Sequence, residues 1–183
     1  MIKTMLKQNK TLQINVAQLL KAPLGATRNY AVEEEVDILG KNRMVSGEVE
    51  LTRSDPSILV HAILHVDVDL ECGRCASKFN APLTLDILEE YLPQINVSTG
   101  EPLPGVEEEK ETFAIDERNI LDMLEAVRQY ASLAVPMKPL CKPDCAGLCP
   151  TCGYNLNQGD CPCPPQDIDP RWDKLRQLFS NHK

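Results

Sequence analysis

Aromatic side chains make up only 4 % of the 183 residues, with a single Trp, so any core must be built from aliphatic groups. There are three histidines, scattered along the chain, too few to be the main ligands of a metal site. No apolar run approaches the ~20 residues that a membrane helix needs. The amino terminus has lysines but neither a long apolar stretch nor a small-residue cleavage site, so no signal peptide is expected. The motifs of common hydrolytic and nucleotide chemistry are missing too: there is no G-x-S-x-G, no Walker loop and no H-E-x-x-H. These absences predict a cytoplasmic protein without a membrane partner and without enzymatic activity, in a compartment that keeps thiols reduced.

Acids outnumber bases 27 to 19, a net charge of −8, and the imbalance is local. Residues 1–30 carry Lys3, Lys7, Lys10, Lys21 and Arg28 with no acid, whereas residues 31–120 carry twenty acids against seven bases. Residues 121–183 balance at zero. A globally acidic body binds phosphate backbones poorly and is better suited to a basic protein partner. The basic arm reads as a solvated terminus, with weak RNA or partner contact as the alternative.

What the chain does have is cysteine. Six of its eight cysteines fall between Cys141 and Cys163. At the centre of that stretch stands Cys149-Pro150-Thr151-Cys152-Gly153. Two cysteines three apart can point both sulfurs inward from one tight turn. The Gly after the second adopts positive φ at no steric cost, which lets backbone N–H groups aim at the thiolates. Such a knuckle is the usual half of a tetrahedral zinc–thiolate site. The other two cysteines form a second C-x-x-C, Cys72-Gly73-Arg74-Cys75.

Around the cysteines the pattern is mostly that of strands. Leu12 and Ile14 open a first strand, Val16 to Leu20 reads as one helical turn, and Arg28 to Asp37 reads as a strand. Val45, Gly47, Val49 and Leu51 alternate with polar residues, and Ser54-Asp55-Pro56-Ser57 is a turn cluster. Ile58, Val60, Ala62, Leu64, Val66, Val68 and Leu70 keep a period of two, and Phe79, Ala81, Leu83, Leu85 and Ile87 resume it after Cys75. Together they predict a long antiparallel hairpin with Cys72 and Cys75 at its tip. Pro82 has no N–H to give a ladder, so its strand is an edge there or bulged. His61 and His65 lie on the polar face about 13 Å apart, too far to share a metal. Leu92 to Thr112, with Glu107-Glu108-Glu109, reads as a flexible acidic loop. Asp116 is placed to cap a helix carrying Ile120, Leu121, Leu124, Val127 and Ala131 on one stripe, which Pro136 ends. Asp169-Pro170 opens a short last helix with Trp172, Leu175, Leu178 and Phe179 on one face.

A closed structural zinc takes four ligands, so eight cysteines make one or two Zn²⁺ sites. The simplest division closes Cys149, Cys152, Cys161 and Cys163 on themselves. Cys141 and Cys145 then meet the hairpin-tip pair Cys72 and Cys75. Alternatively, Cys141 or Cys145 joins the Cys149–Cys152 knuckle and two thiols stay free. A redox dithiol is the competing chemistry, but it needs a C-x-x-C at a helix N-terminus, and Cys72 is followed by another strand pattern.

Several segments together resemble the YceD family, the large ribosomal RNA subunit accumulation proteins. They are the tip Leu70-Glu71-Cys72-Gly73-Arg74-Cys75, the helix end Leu133-Ala134-Val135-Pro136 and the run from Pro139 to Gly153 containing Gly147-Leu148-Cys149-Pro150-Thr151-Cys152-Gly153. Asn155-Leu156-Asn157 and Asp169-Pro170-Arg171 complete the set. The resemblance implies a role in accumulation of large-subunit (23S) rRNA in bacteria or plastids, hence in ribosome assembly, and carries over no catalytic residue. The expected fold is α+β: an antiparallel β-rich body with one long helix and a cysteine-rich C-terminal zinc-binding segment. Residues 1–135 would form the body with its basic arm, acidic loop and helix, and residues 136–183 the zinc segment with a short helix. The expected partner is a basic large-subunit ribosomal protein or an assembly factor, held by the acidic face and loop 101–117, with rRNA itself as the alternative ligand.

Overall fold

Period-two alternation over long stretches commits most of the chain to strands, and the computed structural model, which describes residues 12–97, 99–102, 113–164 and 171, shows them as one sheet. The elements are β1 (Gln13–Asn15), α1 (Ala17–Leu20), β2 (Thr27–Ile38), β3 (Lys41–Arg53), β4 (Ile58–Glu71), β5 (Lys78–Pro93), β6 (Phe113–Ile115), β7 (Ile120–Asp122) and α2 (Leu124–Ala134). The seven strands lie in the order β1-β7-β6-β5-β4-β3-β2. Strands β2 to β5 form an antiparallel meander, with a two-residue turn at 39–40 and a turn at 54–57 in which Ser54 N–H donates to Ser57 O. Among the described residues only the β5–β6 pair is parallel.

The register of β4 on β5 runs from Ile58 opposite Tyr91 to Glu71 opposite Lys78, the predicted hairpin with the C-x-x-C at its tip. Val60, Ala62, Leu64, Val66 and Val68 are buried on one face together with Leu83, Leu85 and Ile87, while His61 and His65 are exposed on the other. β6 reaches β5 only at Tyr91–Pro93. Near Pro82 the strand therefore has β4 on one side only, and the chain at Pro136, Pro139 and Leu140 lines the groove along its free edge. The missing N–H costs no ladder bond there.

Against the buried face lies α2, which touches both β5 and β2. Those strands are three places apart, about 14 Å in a flat sheet, wider than a helix core, so the sheet curls around the helix. Ala126, Val127 and Ala131 are the helix's buried positions. Two of the three are alanine, and such small side chains let the helix backbone come close to the strands. Leu12, Ile14, Val16, Leu19 and Leu20 close the same core from the other end of the sheet.

The helix is shorter than expected. It spans 11 residues, three turns, and starts at Leu124 rather than near Asp116. Asp116 caps a turn instead: its Oδ1 accepts from the N–H groups of Arg118 (2.9 Å) and Ile120 (2.7 Å), with Asn119 at φ +60°. Ile120–Asp122 then pairs with Gln13–Asn15. The helical spacing of Ile120 and Leu121 was a local coincidence; a backbone partner more than 100 residues away in sequence decided the conformation. The N-cap of the helix is Met123, which makes no side-chain cap bond, and Asp122 Oδ1 just before it accepts the N–H of Leu124 at 2.9 Å. The helix ends at Ala134 with extended Val135 before Pro136, as proline sterics require. Leu92 and Pro93 belong to β5 rather than to a loop. The run Glu107–Glu109, the arm carrying Lys3, Lys7 and Lys10, and the stripe from Trp172 to Phe179 lie outside the described residues.

One core position admits no side chain. A Cβ on Gly47 would stand 2.1 Å from Ile63 O and 2.9 Å from Leu64 Cα, both backbone atoms of the paired strand. A Gly inside a strand is otherwise worth replacing by Ala, by about 0.5–1 kcal/mol. Here the sign reverses: Gly47→Ala should destabilise by about 2 kcal/mol or more, because β3 and β4 must separate. Chemical denaturation of the two proteins checks this, and equal or higher stability of the variant would contradict the close approach.

Candidate metal centres

Each C-x-x-C folds into the same turn. Ala76 N–H donates to Cys72 O and Cys72 N–H donates to Ser77 O, both at 2.9 Å. In the second knuckle Gly153 N–H donates to Cys149 O (2.9 Å) and Cys149 N–H donates to Tyr154 O (2.8 Å). The residue after the second Cys is left-handed in both, Gly153 at φ +73° and Ala76 at φ +55°. Gly153 takes that conformation without strain, as the sequence indicates; Ala76 takes it with a Cβ and at a cost.

The eight thiols gather into two quartets, Cys72, Cys75, Cys141 and Cys145, and Cys149, Cys152, Cys161 and Cys163. Within each, the four sulfurs lie within 4.8 Å of one another. Cys72–Cys145 and Cys75–Cys141 are 3.7 Å apart and Cys149–Cys161 3.4 Å. An ion bound by four thiolates at about 2.3 Å has sulfur–sulfur edges of about 3.8 Å, whereas a disulfide needs about 2.05 Å. All eight are free thiols. The donor set and its spacing fit a tetrahedral thiolate ion, and each quartet could hold one. The membership is the division that closes the last four cysteines on themselves; the arrangement sharing Cys141 or Cys145 with the second knuckle does not occur.

The electrostatics of the two quartets are alike. The first Cys of each knuckle is strongly acidic: Cys72 is pulled down to about 6, chiefly by the N–H of Cys141, and Cys149 to about 6, chiefly by the N–H of Cys152. Cys75 is lowered too, chiefly by the Ser77 side chain. A thiol from the other segment of each quartet goes the other way. Burial and then the Cys75 thiol push Cys141 up to about 12, and the Cys152 thiol followed by burial pushes Cys163 to about 12. Four thiols in contact cannot all ionise alone, so protons stay shared among them. A divalent cation held by the quartet would take the place of those protons and make every sulfur a thiolate.

The quartets differ in depth. Cys72, Cys75 and Cys145 are buried beside Phe79 and Leu140, while Cys152 is exposed and Cys161 and Cys163 are half-buried. The first quartet also fastens two distant pieces of chain. Gly73 N–H donates to Pro139 O at 2.8 Å and Arg74 Nη1 to Cys145 O at 3.0 Å. Asn155-Leu156-Asn157, which the sequence reading quotes for the family resemblance, makes contacts that the sequence does not show. Asn155 Oδ1 accepts the N–H of Asn157 (3.0 Å), an Asx turn. In addition, Asn155 Nδ2 donates to Ser77 Oγ (3.1 Å), Asn157 Nδ2 to Cys145 Sγ (3.3 Å), and Asn157 Oδ1 accepts from Ala146 N–H (3.0 Å). The loop of the second quartet thus supports the first. An Asn two residues from another Asn was the available signal, but nothing local says which sulfur it meets.

All eight cysteines lie in the stretch that known proteins share. The sequence model of the family described as large ribosomal RNA subunit accumulation protein YceD matches residues 60–179. The chain belongs to the YceD family. Among its relatives, an uncharacterised protein of Mycobacterium tuberculosis (strain H37Rv) is 32 % identical over 109 residues, covering 60 % of this chain and 49 % of the relative. An uncharacterised Mycobacterium bovis protein matches equally. A Zea mays protein named large ribosomal RNA subunit accumulation protein YCED homolog 1, chloroplastic, is 26 % identical over 142 residues, 66 % of this chain and 48 % of the relative. The chain spans about half the length of these curated relatives. No solved structure gives a significant match.

Two measurements bear on this YceD-family site. Metal analysis should find two divalent ions per chain, and a chelator should remove the more exposed ion, that of the Cys152 quartet, first. Replacing Asn157 by Leu removes the donor to Cys145 at similar volume. By analogy with other residues that orient metal ligands, it should weaken the Cys72 quartet's hold by about 10- to 100-fold in chelator competition. Unchanged competition in that variant would show that the amide does not support the site.

Proposed function

We propose that this protein is a non-enzymatic factor in large ribosomal subunit assembly, promoting accumulation of large-subunit (23S) rRNA, with two Zn²⁺ ions as structural pins. Family membership supports the ribosome-related role. The observation that carries the structural half is the Cys72, Cys75, Cys141 and Cys145 quartet, an all-sulfur set that joins the hairpin tip to the C-terminal segment. Zinc suits four thiolates in tetrahedral array and has no redox chemistry of its own. With four protein ligands no position stays open for a water nucleophile, so the ions would hold shape rather than react. Neither C-x-x-C begins a helix, the setting that activates a dithiol catalyst; Cys72 and Cys75 lie in a hairpin tip. Among the described residues no helix is long and apolar enough to cross a membrane.

The net charge of −8 favours a basic protein partner, a large-subunit ribosomal protein or an assembly factor, over direct non-specific RNA binding. One observation favours the second reading, an RNA-binding zinc module. Exposed Arg74, Lys78, Lys138 and Lys142 flank the first quartet in sequence and outnumber its flanking acids Glu71 and Asp144, so on this reading phosphate would approach the cysteine end. Binding of rRNA fragments at that end should fall steeply with salt, about tenfold or more between 50 and 200 mM, if several phosphates are neutralised.

Depleting the protein in the organism that encodes it should lower the ratio of large- to small-subunit rRNA at least two-fold. The wild-type gene should restore the ratio and a Cys72→Ser, Cys145→Ser double variant should not. An unchanged ratio after depletion would end the ribosomal reading.

A further inference from the structure

The side of the β2–β5 meander that faces away from α2 has no covering element among the described residues. The pairing register places its side chains in rows: Glu33, Ser46, His65 and Thr84; then Glu48, Ile63 and Asp86; then Glu50, His61 and Leu88; then Leu59 and Glu90. Two features set it apart from an ordinary solvated face. Carboxylates dominate it, and Lys78 at the cysteine end is the one Lys or Arg in these strands whose position has that outward parity. Lys41 and Arg43 reach round to Asp69, at 3.0 and 2.5 Å, and no Lys or Arg stands in the rows from Glu33 to Glu90. The other feature is apolar. Ile63 is 45 % exposed, Leu59 38 % and Leu88 59 %, with Met44, 55 % exposed, two rows away.

Leu59, Leu88 and Ile63 are contiguous. Leu88 sits directly across from His61, which separates Leu59 and Ile63 along β4, so Leu88 is the diagonal neighbour of both. Diagonal neighbours are about 7–8 Å apart and their Cβ atoms somewhat closer, within reach of long side chains such as that of Leu88. His61 Nε2 is held aside by Asp86 Oδ1 at 3.3 Å. A three-residue aliphatic patch is thereby framed by Glu48, Glu50, Asp86 and Glu90.

We propose that this face docks a protein segment in which Lys and Arg residues flank an aliphatic anchor, the anchor seated on Leu59, Ile63 and Leu88. The proposal rests on the assembly-factor reading and assigns its partner a surface. Charge decides the occupant. Phosphate is repelled by the carboxylates, and a second copy of the chain would set acid against acid across a two-fold interface. A cationic segment meets complementary charge at the rim and apolar contact at the centre, the usual anatomy of a protein interface. Four strands about 4.8 Å apart and ten residues long offer on the order of 600 Å², below the roughly 800 Å² per partner of a standard interface. A reversible contact is expected, suited to holding a basic protein and then releasing it.

The test uses the full chain and, as probe, the purified proteins of the large ribosomal subunit freed of rRNA. The protein that the wild type retains is titrated against three variants: Ile63→Ser with Leu88→Ser, Glu48→Gln with Glu50→Gln, and the control Leu133→Ser on the exposed side of α2. All altered positions are solvent-exposed, and circular dichroism with metal content verifies folding. Retention of a Lys- and Arg-rich protein, weakened about tenfold by each double variant, unchanged by the control, and less salt-sensitive in the glutamine variant, supports the docking face. No retention by the wild type, or equal affinity of both doubles and wild type, overturns it. The rRNA ratio after complementation separates the two readings: wild type restoring rRNA while retaining no protein sinks only the docking face. Failure of depletion to alter rRNA sinks the assembly reading instead.

Discussion

The meeting of two thiols at a hairpin tip with two thiols some 66 residues further along the chain is the contact on which the rest of the architecture depends. Closing a loop of that length costs about 4 kcal/mol of chain entropy. The apolar contacts at the junction are few, Phe79 and Leu140 beside the sulfurs. Structural zinc in small peptides contributes roughly 10–16 kcal/mol, ample against that cost. The segment from Pro139 to Asn157 is tied to this junction by hydrogen bonds. Pro139 O receives an N–H from Gly73, Cys145 O receives Arg74, and the asparagine loop reaches back to Ser77 and Cys145.

The sheet and the junction divide the work. The meander β2–β5 supplies stability through its largely aliphatic face, to which Tyr91 stacked on Phe113 at 5.1 Å, Tyr30 and Tyr130 add the aromatic contacts. The same hairpin that carries most of that core extends its tip beyond it to present Cys72 and Cys75. A long, regular β4–β5 ladder is a stiff arm, so the tip's position is determined by the core rather than by the local turn. The two knuckles share one set of hydrogen bonds, yet the tip one is buried and the other is half in solvent, which makes the first a joint and the second a peripheral clasp.

Charge is distributed along the same axis. The outward face of the meander gathers acids around a small aliphatic patch, whereas the cysteine end mixes Arg74, Lys78, Lys138 and Lys142 with Glu71, Asp144 and Asp160. The proposed basic protein partner and the alternative RNA ligand would therefore use different surfaces.

Much of this was determined by the chain locally. Period-two alternation over Ile58–Leu70 and Phe79–Ile87 specifies the hairpin because one residue of slip would turn every buried side chain to water. The C-x-x-C spacing with Gly153 specifies the knuckle turn, and Pro136 specifies where α2 stops. Tertiary structure decided the rest. Ile120 and Leu121 became a strand because Gln13–Asn15 offered a backbone partner, and the helix lost a turn and more as a result. The assignment of Cys141 and Cys145 to the hairpin tip, the depth of each quartet, and the reach of Asn157 to a sulfur outside its own loop are all distances across the fold. Local residues set torsion angles and alternation; which remote group then lies within a few ångströms depends on how the whole sheet packs.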